Sequence, residues 1–210
     1  MTDLLLASGL LASLLYWAIV TRPVSVWRTA TKGAALGLPL IALALMGWPW
    51  LALLGLALSV LGDLALSRAG DSALKAGIGF FALAHIAYVA AIYEHAPLEP
   101  TTPALAAIAA LWLFGLSTRF WLLPHTGPLR PAVALYVVLI LAMGVMALLS
   151  APPSPWLIGG ALAFIASDLI LSIEIFRLGD SPWKRLTARL VWPLYIAGQA
   201  GLMMGLAPSI

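Results

Sequence analysis

The sequence predicts an all-α fold: a polytopic membrane bundle of eight transmembrane helices, with both termini on the non-cytoplasmic side. Three observations predict it. Of the 210 residues, 63% are hydrophobic and only 9% are charged, with a mean hydropathy of +1.05, whereas a soluble domain carries roughly 25% charged residues. Apolar runs long enough to cross a bilayer recur along the whole chain, broken by Gly, Pro and charged clusters. Backbone in lipid must satisfy its own hydrogen bonds, so helices are the default, and no alternating barrel pattern competes with them. Third, the cations fall on one side of the resulting topology.

Helices are expected at about 4–20, 33–47, 51–67, 75–93, 104–122, 131–149, 156–176 and 187–206. The breaks are Arg22-Pro23, Gly47 to Trp50, Arg68 to Asp71, Glu94 to Pro103, Pro124 to Pro131, Pro152 to Pro155, and Gly179 to Lys184. The eleven Lys and Arg residues sort by connection. Arg22, Arg28 and Lys32 fall in the first connection or its helix ends, Arg68 and Lys75 flank the third, and Arg119 and Arg130 the fifth. Arg177, Lys184, Arg185 and Arg189 belong to the seventh, and none falls in the even ones. By the positive-inside rule the odd connections are cytoplasmic. The first segment has no basic stretch before it and is expected to be a retained helix rather than a cleaved signal. Trp48, Trp50, Trp121, Trp156, Trp183 and Trp192 lie near helix ends, as an aromatic belt would.

These features make residues 1–210 one integral membrane domain, expected in a bacterial cytoplasmic membrane and in contact with membrane lipids. The net charge of +3 is spread over loops and does not suggest nucleic acid. The absence of cysteine excludes disulfides, thiolate metal sites and a cysteine nucleophile. No cofactor is expected.

Within this apolar chain GDLALS (62–67) is echoed by SDLILS (167–172), placing Asp63 and Asp168 half a chain length apart on two helices of the same direction. The second helix ends in LALMG (43–47), and ILAMG (140–144) recurs in the sixth. Two parallel four-helix halves, about 1–100 and 101–210, are expected from these echoes, and such repeats often hold a site at their interface.

A charge deep in a span costs roughly 2.5–3.5 kcal/mol even on the mildest scale, so intramembrane acids point to function. At 1.5 Å per residue, Asp63 lies about 7–8 Å from the cytoplasmic boundary marked by Arg68, and Asp168 about 13 Å from Arg177. His85 and Gln199 lie about 15 Å in. Ser59, Asp63 and Ser67 share one helix face, as do Asp168 and Ser172, His85 and Tyr88, and Tyr195 and Gln199, with Tyr136 closing the ring. The serines, Ser167 included, also have a simpler reading as packing or back-bonding residues, and the tyrosines as packing aromatics. Glu174 and Arg177 read as an interfacial pair, and Lys75 as a positive-inside anchor or lipid-phosphate contact. A zinc hydrolase needs about three protein ligands. Only His85 of the three histidines lies in a span, so a His85–Asp63–Asp168 metal site is an alternative and no metal is expected. No G-x-S-x-G elbow supports a serine hydrolase.

SVLGDLALS (59–67), DSALKAGIGFFALAHIAY (71–88), SDLILSIEIF (167–176) and YIAGQ (195–199) together resemble the lysoplasmalogenase (YhhN-like) family of integral membrane proteins. That resemblance implies hydrolysis of the vinyl ether bond of a lysophospholipid, giving a fatty aldehyde and a glycerophospho-alcohol. Vinyl ethers yield to acid, so the chemistry calls for one carboxyl that donates a proton and one carboxylate that stabilises the oxocarbenium ion and activates water. Asp63 and Asp168 are the expected acid–base pair, with His85 and Gln199 in hydrogen-bonding support. Tyr88, Tyr136 and Tyr195 would line the chain cavity, and Lys75 and Arg189 would lie near the head group. The rival reading is a small-solute or proton-coupled transporter with the acids as a relay; a metal-dependent lipid hydrolase is the third.

Overall fold

The computed structural model describes residues 1–208, and they are helical apart from turns and one isolated antiparallel bridge, Leu98 with Ser150. The helices are α1 (Thr2–Ile19), α2 (Val26–Leu45), α3 (Trp50–Leu66), α4 (Asp71–His95), α5 (Thr102–Trp121), α6 (Arg130–Leu149), α7 (Pro155–Phe176) and α8 (Lys184–Gly205). Two short 3-10 turns, Leu123–His125 and Gly127–Leu129, lie between α5 and α6. Five helices, α1 and α4 to α7, are long and apolar enough to cross a membrane, and α3 is a shorter apolar helix. In α2 and α8 the first turns are diluted by Arg28 and Lys32, and by Lys184, Arg185 and Arg189.

The eight helices fall where the sequence places them, with one substantial difference. α2 begins at Val26 rather than near residue 33, because Ser25 is an N-cap whose hydroxyl accepts the Arg28 N–H at 3.2 Å. Arg28 and Lys32 are thereby helical residues four apart, on one face, instead of loop charges. The other end of α2 closes as a Schellman motif. Gly47 takes a φ of +76°, and Trp48 and Gly47 donate to the carbonyls of Leu43 and Ala44. α5 and α7 are capped by Thr101 and Ser154, which accept from the N–H of Ala104 and Leu157.

The chain divides within α4 into two compact units, Met1–Tyr88 with Ala207 and Pro208, and Val89–Leu206. In the first unit, Gly9 of α1 lets the Pro39 ring of α2 approach, and Gly33 of α2 faces Leu64 of α3. Gly55 and Gly62 of α3 lie under the rings of Tyr88 and Phe81, where an added Cβ would come within 2.6 Å of each ring. This register makes α3 and α4 antiparallel and puts His85, which shares a face with Phe81 and Tyr88, between the two glycine contacts. In the second unit the closest approach is α7 on α8. Gly160 meets the backbone of Gly201 and Leu202, Gly198 that of Phe164, and Gly205 packs on Leu157. Small residues allow this backbone-to-backbone approach, the mode of association that works where no hydrophobic force acts between helices.

Candidate functional site

Asp63 in the first unit and Asp168 in the second each lie within an apolar helix, and each has a partner of a different kind. In the first unit Asp63 Oδ1 sits 3.0 Å from Lys32 Nζ, with the two side chains only 4% and 11% exposed. The pair exists because α2 starts early enough to carry Lys32 as a helical residue, next to Gly33, which packs on Leu64. Tyr16 of α1 lies beneath it, its ring centroid 5.8 Å from Lys32 Nζ and 5.9 Å from the Arg28 guanidinium. An ammonium at this spacing offsets much of the cost of burying the carboxylate. The neighbouring serines are committed to their own helix: Ser59 donates to the Gly55 carbonyl at 2.9 Å and Ser67 to the Leu64 carbonyl at 2.8 Å. These are the back-bonding contacts that helical serines commonly make. His85 and Tyr88 are fully buried. Lys75 is exposed on the first turn of α4 and pairs with no carboxylate among the described residues.

In the second unit Asp168 of α7 accepts a hydrogen bond at Oδ2 from the Tyr136 hydroxyl of α6. Both line a cavity of about 60 Å³ walled by α5, α6 and α7, room for more than one water. Its other walls include Phe114, Val133, Ile140, Leu141 and Ile165. Thr118 and Ser172 also face it, but donate to the carbonyls of Gly115 (2.6 Å) and Leu169 (2.8 Å) in their own helices, and the Trp121 indole donates to Ser117 at 3.0 Å. The carboxyl and the phenol are thus the polar pair on an otherwise apolar wall.

The remaining expected residues of this unit lie elsewhere on α7 and α8. Tyr195 packs edge-on against Phe164 (5.4 Å, 90°) and beside Trp192 (5.6 Å), and Gln199 is buried; neither lines the Asp168 cavity. Ser167 donates to the Val191 carbonyl at 3.0 Å, tying α7 to α8 just before the helix-interior Pro193. Glu174 and Arg177 do not pair with one another. Glu174 accepts from the Thr187 hydroxyl, and Arg177 donates to the Trp121 carbonyl, because each finds a partner on a neighbouring element rather than along α7.

Sequence reasoning missed Lys32, Arg28 and Tyr16. A signal was present: Ser25 precedes two cations spaced four apart, and Lys32 lies seven residues into α2, about 9 Å, close to the depth of Asp63. Among the described residues no group of three His, Cys, Asp or Glu side chains could hold a metal ion.

Two curated proteins share this sequence pattern. The chain is 32% identical over 132 residues to proteins named lysoplasmalogenase from Mycobacterium bovis and Mycobacterium tuberculosis, an alignment covering 61% of this chain and 49% of each relative. The chain thus spans about half the length of the curated relatives it matches. No solved structure matches. Residues 24–206 match the sequence profile of the YhhN family, a stretch that takes in α2 to α8 and both aspartates. The chain belongs to the YhhN family.

Proposed function

We propose that this protein is a membrane hydrolase of the lysoplasmalogenase type, cleaving the vinyl ether bond of a single-chain ether phospholipid to a fatty aldehyde and a glycerophospho-alcohol. What carries the reading is the likeness to the two mycobacterial lysoplasmalogenases. The two carboxyl centres supply the chemical functions this reaction needs. Asp168, hydrogen-bonded to Tyr136 beside an apolar cavity, delivers a proton to the alkenyl carbon remote from the ether oxygen, and the phenol relays the replacement. The cation left behind is an oxocarbenium ion. Asp63, ion-paired with Lys32, is the carboxylate that stabilises this positive charge and accepts a proton from the attacking water, as in glycoside hydrolysis. The resulting hemiacetal collapses to aldehyde and alcohol, so no cofactor is consumed. His85 and Gln199 support the acids, and Tyr88 and Tyr195 contribute packing.

The same reading places all eight helices across the membrane with both termini outside, as two parallel halves, in a bacterial cytoplasmic membrane. The purified protein, given a 1-alkenyl lysophospholipid, is expected to release free aldehyde detectable by mass spectrometry. Uptake of a solute into proteoliposomes with no turnover of any single-chain lipid would instead make it a transporter.

A further inference from the structure

The first unit holds more positive charge around Tyr16 than Asp63 answers. Arg28 and Lys32 lie four apart on α2 and face the same Tyr16 ring, at 5.9 and 5.8 Å. Lys32 is paired with Asp63. Arg28 has no carboxylate within ion-pair distance among the described residues, and its Nε is buried without a hydrogen-bond partner. A buried guanidinium N–H left unmade costs stability unless a ligand completes it. Nor do the neighbouring hydroxyls complete it: Thr31 donates to the Trp27 and Arg28 carbonyls, and Ser25 accepts from the Arg28 backbone N–H. The cluster is two cations against one anion, held in place by an aromatic ring.

We infer that Arg28, with Lys32 beside it, is a binding site for a phosphate group, and that in this protein the phosphate is that of a lysophospholipid head group. The guanidinium fork matches phosphate oxygens bidentately, and the surplus charge matches a monoanionic phosphodiester. Depth fits as well. Arg28 is the third residue of α2 and Lys32 the seventh, which places them within about 9 Å of the start of the helix, where lipid phosphates lie. A lipid held there by its phosphate would have its glycerol backbone on the scale of the Lys32–Asp63 pair. This assignment rests on the lysophospholipid reading and moves the head group from Lys75 and Arg189, both exposed, to a cluster on α2 made of a half-buried Arg28 and a buried Lys32.

The test is binding rather than turnover. The probes are a saturated 1-O-alkyl lysophosphocholine, which lacks the acid-labile double bond, and the matching 1-O-alkylglycerol, which lacks phosphate. Wild-type protein in detergent is expected to bind the phosphate lipid about tenfold or more tightly than the alkylglycerol, and Arg28→Gln to erase that preference while leaving alkylglycerol affinity unchanged. Equal preference in wild type and Arg28→Gln overturns the site. If Arg28→Gln does not fold, Arg28→Lys serves instead: it keeps the charge but loses the fork, so a reduced preference supports the site and an unchanged one overturns it. Thermal stabilisation of wild type, but not of the variant, by inorganic phosphate without any lipid preference assigns the site to free phosphate and overturns the lipid source. A phosphate preference lost in Arg28→Gln, with no aldehyde released from the 1-alkenyl lysophospholipid, keeps the site and rejects the vinyl ether reaction.

Discussion

GDLALS on α3 and SDLILS on α7 are nearly the same hexapeptide, yet the two helices use it differently. Part of the motif behaves identically in both. Ser67 and Ser172, each four residues after the aspartate, donate to the carbonyl one residue after it, Leu64 and Leu169, at 2.8 Å. That contact is local, so the local sequence dictates it. What faces other helices diverges. Asp63 meets an ammonium and Asp168 a phenol. Gly62 lies under the Phe81 ring, whereas Ser167 at the same place bonds the α8 backbone. Gly55 and Gly160, eight residues before each aspartate, admit a tyrosine ring and a helix backbone respectively. One motif thus yields a lysine-paired carboxylate in one unit and a phenol-bonded carboxyl beside a cavity in the other, and the difference comes entirely from the neighbours.

The largest effect expected is on catalysis. Asp168→Asn and Asp63→Asn should each lower aldehyde release by about 10²–10⁴-fold, measured on protein that remains monodisperse in detergent; full activity in both variants would end the acid–base assignment. Next is a stability effect confined to the first unit. Lys32→Ala leaves Asp63 buried without its ammonium and should cost about 3–5 kcal/mol, while Lys32→Met combined with Asp63→Leu should recover most of it; thermal unfolding distinguishes the two. The glycines sharpen the comparison further. Gly160→Ala drives a Cβ to 2.6 Å from backbone nitrogen and should cost about 1–3 kcal/mol or more, against less for Gly55→Ala, where the neighbour is a side-chain ring rather than backbone. Tyr136→Phe keeps the ring and removes the relay, and should reduce turnover by about tenfold with stability changed by about 1 kcal/mol. The smallest effect is Ser67→Ala and Ser172→Ala, each expected within about 0.5 kcal/mol of wild type by the same unfolding assay.

The fold was largely legible because membrane helices announce themselves by composition. Apolar runs and Pro and Gly breaks are properties of a few adjacent residues, and the helices lie where those signals put them. The one boundary that differs, the start of α2, lies seven residues before the expected one because the Ser25 N-cap brings Arg28 and Lys32 into the helix. The site was legible in part. Asp63 and Asp168 stood out because a carboxyl in lipid is costly, and Tyr136 was found on the cavity wall with Asp168. Tyr195 and Ser167 turned out to be engaged in α7–α8 packing, since helical spacing gives a face but not the element that covers it. The same gap hid Lys32 and Tyr16.

Taken alone, the amino-acid sequence determined the class of the fold, the number and approximate limits of its helices, the two acids and the resemblance to a lipid-hydrolysing family. Periodicity, hydropathy and short motifs act over a turn or two of helix, and these conclusions depend on nothing longer. Only the tertiary structure decided which group answers each acid: Lys32, 31 positions before Asp63, and Tyr136, 32 before Asp168. Such pairings depend on helix register, and register is set by where a glycine lets a neighbouring ring or backbone come close.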